Sequence, residues 1–384
     1  GRYGLEGFFN QLLSWESGQI VSRKDIAGRI IDPISLDKED LLGAWVEIYT
    51  TIDRNVQRKI EEIIKAWVKN YRANKATVVV MEPRTWEIIA MASAPNFDAN
   101  SLGDVYEMEK ISYVKYPNPP MDLLWVPVYV EDPSLGEEKF YDGKNIFLRL
   151  ATKEEIADFT KVKYKYKNDF GDGVYTNDAV TGLYEPGSIM KAMTVAIGID
   201  TGEISRYDMY NDTGEVRIDN FTIKNVSSSC LGFNTFWNAV NFSCNVGMIR
   251  IAQKVWKALF HQYLNDFWFG RPTGITLDWE ASRPITPYEK WSRAQLFTSS
   301  YWLWIWVTPL QMASAYSVIA NGWLYVKPYI VDKITHSDGR EEIFEPQILR
   351  RVIKEETAKK VTSMLIEWVV NGVAQGAKIE WYSV

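Results

Sequence analysis

Three serines in this 384-residue sequence stand three positions before a lysine: Ser35, Ser112 and Ser188. Residues three apart share one face of a helix, so a helical S-x-x-K tetrad places the lysine amine beside the serine hydroxyl. A serine needs a base to act as a nucleophile at neutral pH, and a desolvated lysine can be that base. Because the tetrad often occurs by chance, its surroundings decide which copy could do chemistry.

The surroundings of Ser188 favour it over the other two serines. A Pro186-Gly187 pair ends the preceding segment, and a strongly apolar stretch follows. We expect a helix from Ser188 to about Thr201, with the serine at its N-terminus, where backbone N–H groups favour developing negative charge. Ser188 and Lys191 are therefore the candidate nucleophile and base, and the other two tetrads are expected to be surface accidents.

A second candidate element is the triplet Ser243-Cys244-Asn245. A serine hydroxyl here can relay a proton between the lysine and a leaving group, and an asparagine amide can hold a substrate carbonyl or orient the lysine. The alternative is that Ser243 and Asn245 only cap a helix, a frequent role of both residue types. Combined with the tetrad, the triplet favours a catalytic site of Ser188, Lys191, Ser243 and Asn245. Cys244 is expected to be small, packed and unreactive.

Composition excludes several other classes of site. The two histidines, His261 and His336, belong to no ligand-spaced cluster, so neither a Ser-His-Asp triad nor a histidine-rich metal site is expected. The two cysteines, Cys230 and Cys244, are too few for a disulfide scaffold or a four-cysteine zinc site. No basic stripe accompanies the net charge of −6. We therefore expect no metal, no cofactor and no nucleic-acid partner.

Hydrophobic spacing predicts the elements around these residues. A helix is expected to begin near Asp53, followed by a hairpin of strands Thr77–Glu82 and Glu87–Ser93. Further helices are predicted over about Thr235–Trp256, Pro309–Ala320 and Lys354–Val370. The apolar stretch Gln295–Tyr325 contains several polar residues and Pro309, so it is expected to be buried core and not a membrane span.

The two motifs resemble those of the class B penicillin-binding proteins, the monofunctional transpeptidases of peptidoglycan synthesis. YGLEGFFNQLL resembles the family's pedestal segment, TTIDRNVQ the start of its catalytic domain, and VTPLQMASAYSVIANG a helix behind the site. The resemblance implies an α+β transpeptidase fold of the penicillin-binding-protein and β-lactamase type, with a mainly antiparallel sheet flanked by helices. Residues 1–50 would be the end of a pedestal domain, and residues 51–384 the transpeptidase domain, with a partly irregular insertion at about 100–180.

The resemblance also implies a function. Ser188 would be acylated by the penultimate D-Ala of a stem peptide that ends in D-Ala-D-Ala, and an amine of a neighbouring stem would then take the acyl group. β-Lactams would trap the same serine. The family further implies a role in cell division or cell shape, a place on the extracytoplasmic face of the cell membrane, an N-terminal anchor helix and a membrane glycosyltransferase partner. Alternatives on the same fold are a D,D-carboxypeptidase or β-lactamase, a β-lactam sensor and a catalytically inactive scaffold.

The family's third motif, K-T-G, is absent from the 384 residues. In the family it contributes a cation, a contact to the substrate carboxylate and half of the oxyanion hole. The sequence stops at Val384, where the strand that carries this motif would begin, so we expect the natural protein to continue beyond it and to carry an anchor helix upstream that this chain lacks. Without the motif, this chain is expected to react with penicillins slowly or not at all.

The sixteen tryptophans are a second departure from the family. Several stand where the family pattern has glycine: Trp86, Trp256, Trp268, Trp302, Trp304, Trp323 and Trp381. A bulky side chain cannot replace glycine where φ is positive or where backbones touch. One hypothesis is that the source organism reads UGA codons as glycine and that they are decoded here as tryptophan. The alternative is a tryptophan-rich sugar-binding surface. Trp291 is outside this set and is expected to be a genuine tryptophan.

Overall fold

The computed structural model describes residues 3–13, 23–24, 30–32, 46–111, 126–158, 160–301, 304–380 and 382. The tetrads that begin at Ser35 and Ser112 lie outside these residues. The α-helices are α1 (Gly4–Phe8), α2 (Asn10–Leu13), α3 (Arg54–Tyr71), α4 (Lys153–Ala157), α5 (Asp178–Thr181), α6 (Lys191–Asp200), α7 (Phe236–Asn241), α8 (Asn245–Lys254), α9 (Lys257–Asp266), α10 (Arg293–Ser299), α11 (Pro309–Ala320) and α12 (Glu355–Val370). Short 3-10 helices cover Leu102–Tyr106, Gly171–Tyr175, Gly187–Met190, Ser228–Cys230, Tyr288–Lys290 and Gln375–Ala377.

The strands follow the same chain order. They are β1 (Arg23–Lys24), β2 (Ile30–Asp32), β3 (Val46–Thr50), β4 (Ala76–Met81), β5 (Ile88–Ala94), β6 (Glu107–Lys110), β7 (Tyr129–Glu131), β8 (Glu137–Tyr141), β9 (Lys144–Leu150), β10 (Tyr164–Tyr166), β11 (Met209–Asp212), β12 (Glu215–Ile218), β13 (Phe221–Lys224), β14 (Gly232–Thr235), β15 (Leu324–Val326), β16 (Val331–His336), β17 (Glu341–Ile343) and β18 (Ile348–Arg351). The predicted hairpin is confirmed as β4 and β5, and the predicted helices near Asp53, Pro309 and Lys354 are confirmed as α3, α11 and α12.

The chain divides into two compact units. The first comprises Gly1–Asp53, Val79–Ala90 and Val180–Val384, and the second comprises Arg54–Val78 and Met91–Ala179. All four candidate site residues belong to the first unit. The boundary predicted at residue 50 falls inside it, because β3 pairs with β16. Much of residues 1–50 lies outside the described residues, and their assignment to a pedestal domain stays a prediction.

The first unit combines antiparallel strands with a helical core. β16 lies between β3 and β17, and β15 pairs with β18. β11 pairs with β14, and β12 pairs with β13. All ten residues of α6 are buried, and its apolar side chains share one hydrophobic core with buried residues of α8, α11 and α12. This arrangement confirms the predicted α+β class.

Gly198 sets how closely α6 and α8 approach each other. A Cβ atom on Gly198 would lie 2.7 Å from Ile251 Cγ2 and 2.9 Å from Ile204 Cγ1. Only a hydrogen atom fits in that space, so glycine permits the direct contact. The helix that carries Lys191 is thereby packed against the helix that begins at Asn245.

The second unit is more regular than the sequence indicated. Strands β6 to β10 close into a barrel, in the order β10-β6-β8-β9-β7. Met108, Leu148, Tyr164 and Tyr166 form its core. Strand β10 comes from the run KVKYKYK, in which the two tyrosines share one face because side chains of a strand alternate. The described residues of about 100–180 thus combine a barrel with turns and two 3-10 helices, and their status as an insertion stays a prediction.

The apolar stretch Gln295–Tyr325 is part of the core, as predicted. It contains the end of α10 and all of α11, most of whose residues are buried. Across the described parts of the chain, no helix has both the length and the apolar character needed to cross a membrane.

Backbone angles support the glycine hypothesis at three of its positions. Trp86 has φ 69°, Trp268 has φ 71° and Trp304 has φ 71°. Trp279, which the sequence did not single out, has φ 63°. Bulky residues avoid this left-handed region, whereas glycine adopts it freely.

The other tryptophans of the sequence hypothesis do not show this backbone conformation or lie outside the described residues. Trp256 has φ −61°, and Trp323 is not among the described residues with positive φ. Trp302 and Trp381 lie outside the described residues. Trp291 is buried, and its Nε1 donates to Thr286 O at 2.8 Å. The decoding hypothesis stays a prediction.

Candidate active site

Ser188 lies in a tight turn that leads directly into α6. The predicted α-helix begins three residues later than expected, because Gly187–Met190 form a 3-10 helix and α6 starts at Lys191. A 3-10 helix has three residues per turn, so residues i and i+3 lie one above the other. The correction therefore keeps Ser188 and Lys191 on one face. Gly187 has φ 67°, which explains the glycine before the serine.

Contacts on both sides hold this turn in place. Tyr184 exchanges two backbone hydrogen bonds with Val307, at 2.9 and 3.0 Å. The Glu185 carboxylate accepts from Trp304 N at 3.2 Å, and Tyr316 Oη donates to Ile189 O at 2.9 Å. Ser188 itself is exposed, and its hydroxyl forms no hydrogen bond within the described part of the chain. The serine is thus accessible on a fixed backbone.

The amine of Lys191 is buried and directed at the second motif. Only 4% of the residue is exposed. Its Nζ donates to Ser243 O at 2.6 Å and to Ser243 Oγ at 2.8 Å. Burial lowers the pKa of Lys191 from 10.5 to about 7, because a charged amine is poorly solvated there. Near neutral pH a large fraction of the amine is therefore unprotonated and able to accept a proton.

Ser243 lies at a break between two helices. The sequence predicted one helix over Thr235–Trp256, and that prediction is wrong: α7 ends at Asn241 and α8 begins at Asn245. Ser243 has φ 55°, a left-handed conformation that ends a helix. The break frees the Ser243 carbonyl from helical hydrogen bonding, and this carbonyl accepts from Lys191.

Asn245 is the first residue of α8, and its side chain bonds to the backbone of β13. Its Nδ2 donates to Lys224 O, at the end of β13, at 2.8 Å. The capping alternative fails for both residues of the triplet: Cys244 occupies the N-cap position without a side-chain cap, and Ser243 Oγ binds Lys191. The structure therefore brings Lys191 and Ser243 into contact, while the Asn245 side chain contacts Lys224 O instead.

The two cysteines form a disulfide between Cys230 and Cys244. Cys244 is fully buried, as predicted, but it is bonded and not a free packed thiol. Sequence alone missed the pair because fourteen positions separate the cysteines and only the fold brings their Cα atoms to 5.7 Å. The bond ties the S-x-N triplet to the 3-10 helix Ser228–Cys230.

A cavity of about 520 Å³ opens beside Asn245. Its lining includes Phe221, Lys224, Asn245, Gln295, Tyr301 and Trp304. The exposed surface of the lining is mainly apolar and includes the Asn245 and Gln295 amides, a composition that suits a peptide with a carbonyl to be held. Among the described residues, no three His, Cys, Asp or Glu side chains are grouped in a way that could hold a metal ion.

A family model described as the penicillin binding protein transpeptidase domain matches residues 76–384. This chain belongs to that family. The resemblance inferred from the two motifs is thereby confirmed, and the transpeptidase fold with it.

Relatives in this family are similar to the chain over most of its length. The chain is 24% identical over 389 residues to stage V sporulation protein D of Bacillus subtilis. The aligned region covers 100% of this chain and 50% of that protein. Identity to penicillin-binding protein PbpB of Mycobacterium tuberculosis is 28% over 366 residues, covering 95% and 44%. For peptidoglycan D,D-transpeptidase FtsI of Escherichia coli it is 23% over 353 residues, covering 92% and 48%. The chain spans about half the length of these curated relatives.

Solved structures show the same fold. The D,D-transpeptidase domain of a peptidoglycan glycosyltransferase from Eggerthella lenta matches with a TM-score of 0.65 and 19% identity, covering 95% of this chain and 76% of that one. Penicillin binding protein 3 from Mycobacterium tuberculosis matches with a TM-score of 0.64 and 19% identity, covering 94% and 71%.

Proposed function

We propose that this protein is a peptidoglycan D,D-transpeptidase that works through an acyl-enzyme on Ser188. The observation that carries the proposal is the buried Lys191 amine, which contacts Ser243. Ser188, three residues before this lysine, is exposed. A buried lysine with a pKa of about 7 has no evident structural benefit, whereas a serine nucleophile requires such a base. The transpeptidase names of the relatives support the same reaction.

Acylation would begin with attack of Ser188 Oγ on the carbonyl carbon of the penultimate D-Ala. The neutral Lys191 amine takes the hydroxyl proton as the new C–O bond forms. When the tetrahedral intermediate collapses, the C–N bond to the terminal D-Ala breaks. The proton passes from Lys191 through the Ser243 hydroxyl to the departing amine, a relay that the 2.8 Å contact allows. The products are a serine ester and free D-Ala.

Deacylation would reverse these roles. An amine of a neighbouring stem peptide attacks the ester carbonyl, loses a proton to the same Lys191 and Ser243 pair, and forms the cross-linking amide. The proton returns to Ser188 Oγ as the ester bond breaks. We assign Asn245 to hold the donor peptide's amide carbonyl at the edge of the cavity beside it. A β-lactam would acylate Ser188 by the same first step, with opening of its ring.

The absence of K-T-G from the 384 residues limits what this chain can do alone. The described site contains a nucleophile, a base and a relay, and the oxyanion would lack donors from that third motif. We therefore expect the 384-residue chain to be labelled only weakly by a fluorescent penicillin. Robust labelling at Ser188 would contradict this expectation.

We also propose that the site faces the extracytoplasmic space, where peptidoglycan stems and β-lactams are found, and that the complete protein is anchored by an N-terminal helix and acts beside a membrane glycosyltransferase. The disulfide Cys230–Cys244 supports this location, because such bonds persist in oxidising compartments.

A thioester analogue of acyl-D-Ala, incubated with the product of the complete gene and a D-amino acid acceptor, separates the candidate functions. A transpeptidase joins the acyl group to the amine of the D-amino acid, and Ser188→Ala abolishes this product. A carboxypeptidase or β-lactamase forms only the hydrolysed acid. A sensor accumulates a stable acyl-enzyme without product, and an inactive scaffold shows no adduct. Any of the last three outcomes would overturn the proposal.

A further inference from the structure

Helix α8 begins without a cap of its own. Its N-cap residue, Cys244, makes no side-chain capping hydrogen bond, and its sulfur is bonded to Cys230. The first backbone amides of a helix have no partner within the helix and need an acceptor from elsewhere. Because α8 starts with Asn245, whatever supplies that acceptor also fixes the backbone from which the Asn245 amide extends.

Two consecutive residues at the end of β13 hold two consecutive residues of α8. Asn225 Oδ1 accepts from Val246 N at 3.0 Å, and Lys224 O accepts from Asn245 Nδ2 at 2.8 Å. One contact fixes the backbone just after Asn245 and the other fixes its side chain. Asn225 therefore acts as an N-cap supplied from a different part of the chain.

Asp212 determines which way the Asn225 amide faces. Asn225 Nδ2 donates to Asp212 Oδ1 at 2.7 Å, and a carboxylate only accepts, so the other end of the amide, Oδ1, is turned toward Val246. Asp212 is 1% exposed and is itself fixed by Gly214 N at 2.8 Å and by Tyr210 Oη at 3.2 Å. The orientation of Asn225 is thus set by a buried group.

The same network reaches the first turn of α8 by a second route. A Cβ atom on Gly247 would lie 2.7 Å from Tyr210 Oη, so the tyrosine that donates to Asp212 also lies against the backbone of α8. Any residue larger than glycine at this position would push the helix away from the network.

From this network we propose that Asn225 is a positioning residue for Asn245, oriented by Asp212. It contacts no reacting group. It fixes the start of α8 and thereby places the Asn245 amide at the edge of the cavity. The inference rests on the proposed function, in which Asn245 holds the substrate carbonyl.

The test is a double-mutant cycle on the product of the complete gene, with Asn225→Ala, Asn245→Ala and the double variant. Acylation by a fluorescent penicillin is followed as the second-order rate constant, and melting temperature is measured alongside. Asn225→Ala is expected to slow acylation on the order of tenfold in the wild-type background. In the Asn245→Ala background its effect on acylation should vanish, because the group it positions is gone. Asn220→Ala, at an exposed position in the same hairpin, is the matched control and should change neither quantity.

A purely structural role gives a different pattern. The acylation penalty of Asn225→Ala would then be equal in both backgrounds and would follow the loss of melting temperature, and this inference would be overturned while the proposed function stood. A wild-type protein that is not acylated would overturn both.

Amide exchange tests the contact without any variant. The Val246 amide of the wild-type protein should exchange with solvent at least about tenfold more slowly than an unstructured amide. Free exchange at Val246 would contradict the inference even if Asn225→Ala failed to fold.

Discussion

Lys191 Nζ lies 2.8 Å from Ser243 Oγ and 2.6 Å from Ser243 O, in a part of the core that leaves only 4% of the lysine exposed. Two acceptors and little solvent surround this amine. The lysine can therefore pass a proton to Ser243. Burial lowers the pKa of Lys191 to about 7, so much of the amine is uncharged near neutral pH.

The first prediction concerns the pH dependence of acylation. Since the pKa of Lys191 is about 7, the neutral amine is scarce at pH 6 and predominant at pH 8. Acylation by a fluorescent penicillin, measured on the product of the complete gene, should rise through pH 7 and then level off. Lys191→Arg, which stays charged, should be nearly inactive at every pH. A rate that is flat from pH 6 to 9, or that rises only above pH 9, would contradict the assignment of Lys191 as base.

The same shift predicts a pH-dependent stability. The folded-state pKa lies below the unfolded value of 10.5, so between pH 7 and 10.5 the unfolded chain binds more protons at this site. Stability relative to Lys191→Met should therefore fall as pH drops from 10.5 to 7, and level off below. Between pH 9 and 7 the fall should be roughly 2 kcal/mol. Urea unfolding of both proteins at these pH values measures it, and parallel pH profiles would count against a buried neutral lysine.

The disulfide should stabilise the fold. Cys230 and Cys244 are fourteen positions apart, and closing a loop of this size contributes up to about 3 kcal/mol by restricting the unfolded chain. A double variant, Cys230→Ala with Cys244→Ala, should be less stable by up to that amount in urea. Adding a reductant should lower the stability of the wild type to that of the variant and leave the variant unchanged. A reductant effect on the variant would show that something other than the disulfide is responsible.

Replacing tryptophan by glycine should change the stability of the protein differently at two exposed positions. Trp304 is 64% exposed with φ 71°, and Trp256 is 79% exposed with φ −61°. Trp304→Gly relieves a left-handed backbone and should stabilise the protein by roughly 1 kcal/mol, whereas Trp256→Gly should give no gain. Thermal unfolding compares the pair. The coding DNA decides the origin: UGG codons at positions 86, 302 and 304 would end the decoding hypothesis.

The placement of Ser188 and Lys191 on one face could be predicted from sequence because it depends on local spacing. Ser188 and Lys191 share a face in either an α- or a 3-10 helix, so this prediction does not depend on the type of helix. The buried α6 followed from a continuous apolar run, and the fold class followed from the family resemblance.

The rest required the tertiary structure. The helical sequence pattern continues through Ser243, and no neighbouring residue predicts its left-handed conformation. In the structure this conformation occurs together with the contact to Lys191. The disulfide and the Asp212–Asn225 pair join residues that are distant in sequence and individually ordinary. An asparagine after a strand is a common turn residue, so its sequence context gave no sign of a role at α8.

The most direct test of the account is to map where penicillin binds covalently. The product of the complete gene is treated with a penicillin, digested and analysed by mass spectrometry, with Ser188→Ala as the control. We expect one adduct, on the peptide that contains Ser188, and none in Ser188→Ala. An adduct on the peptides of Ser35 or Ser112, or one that persists in Ser188→Ala, would contradict it.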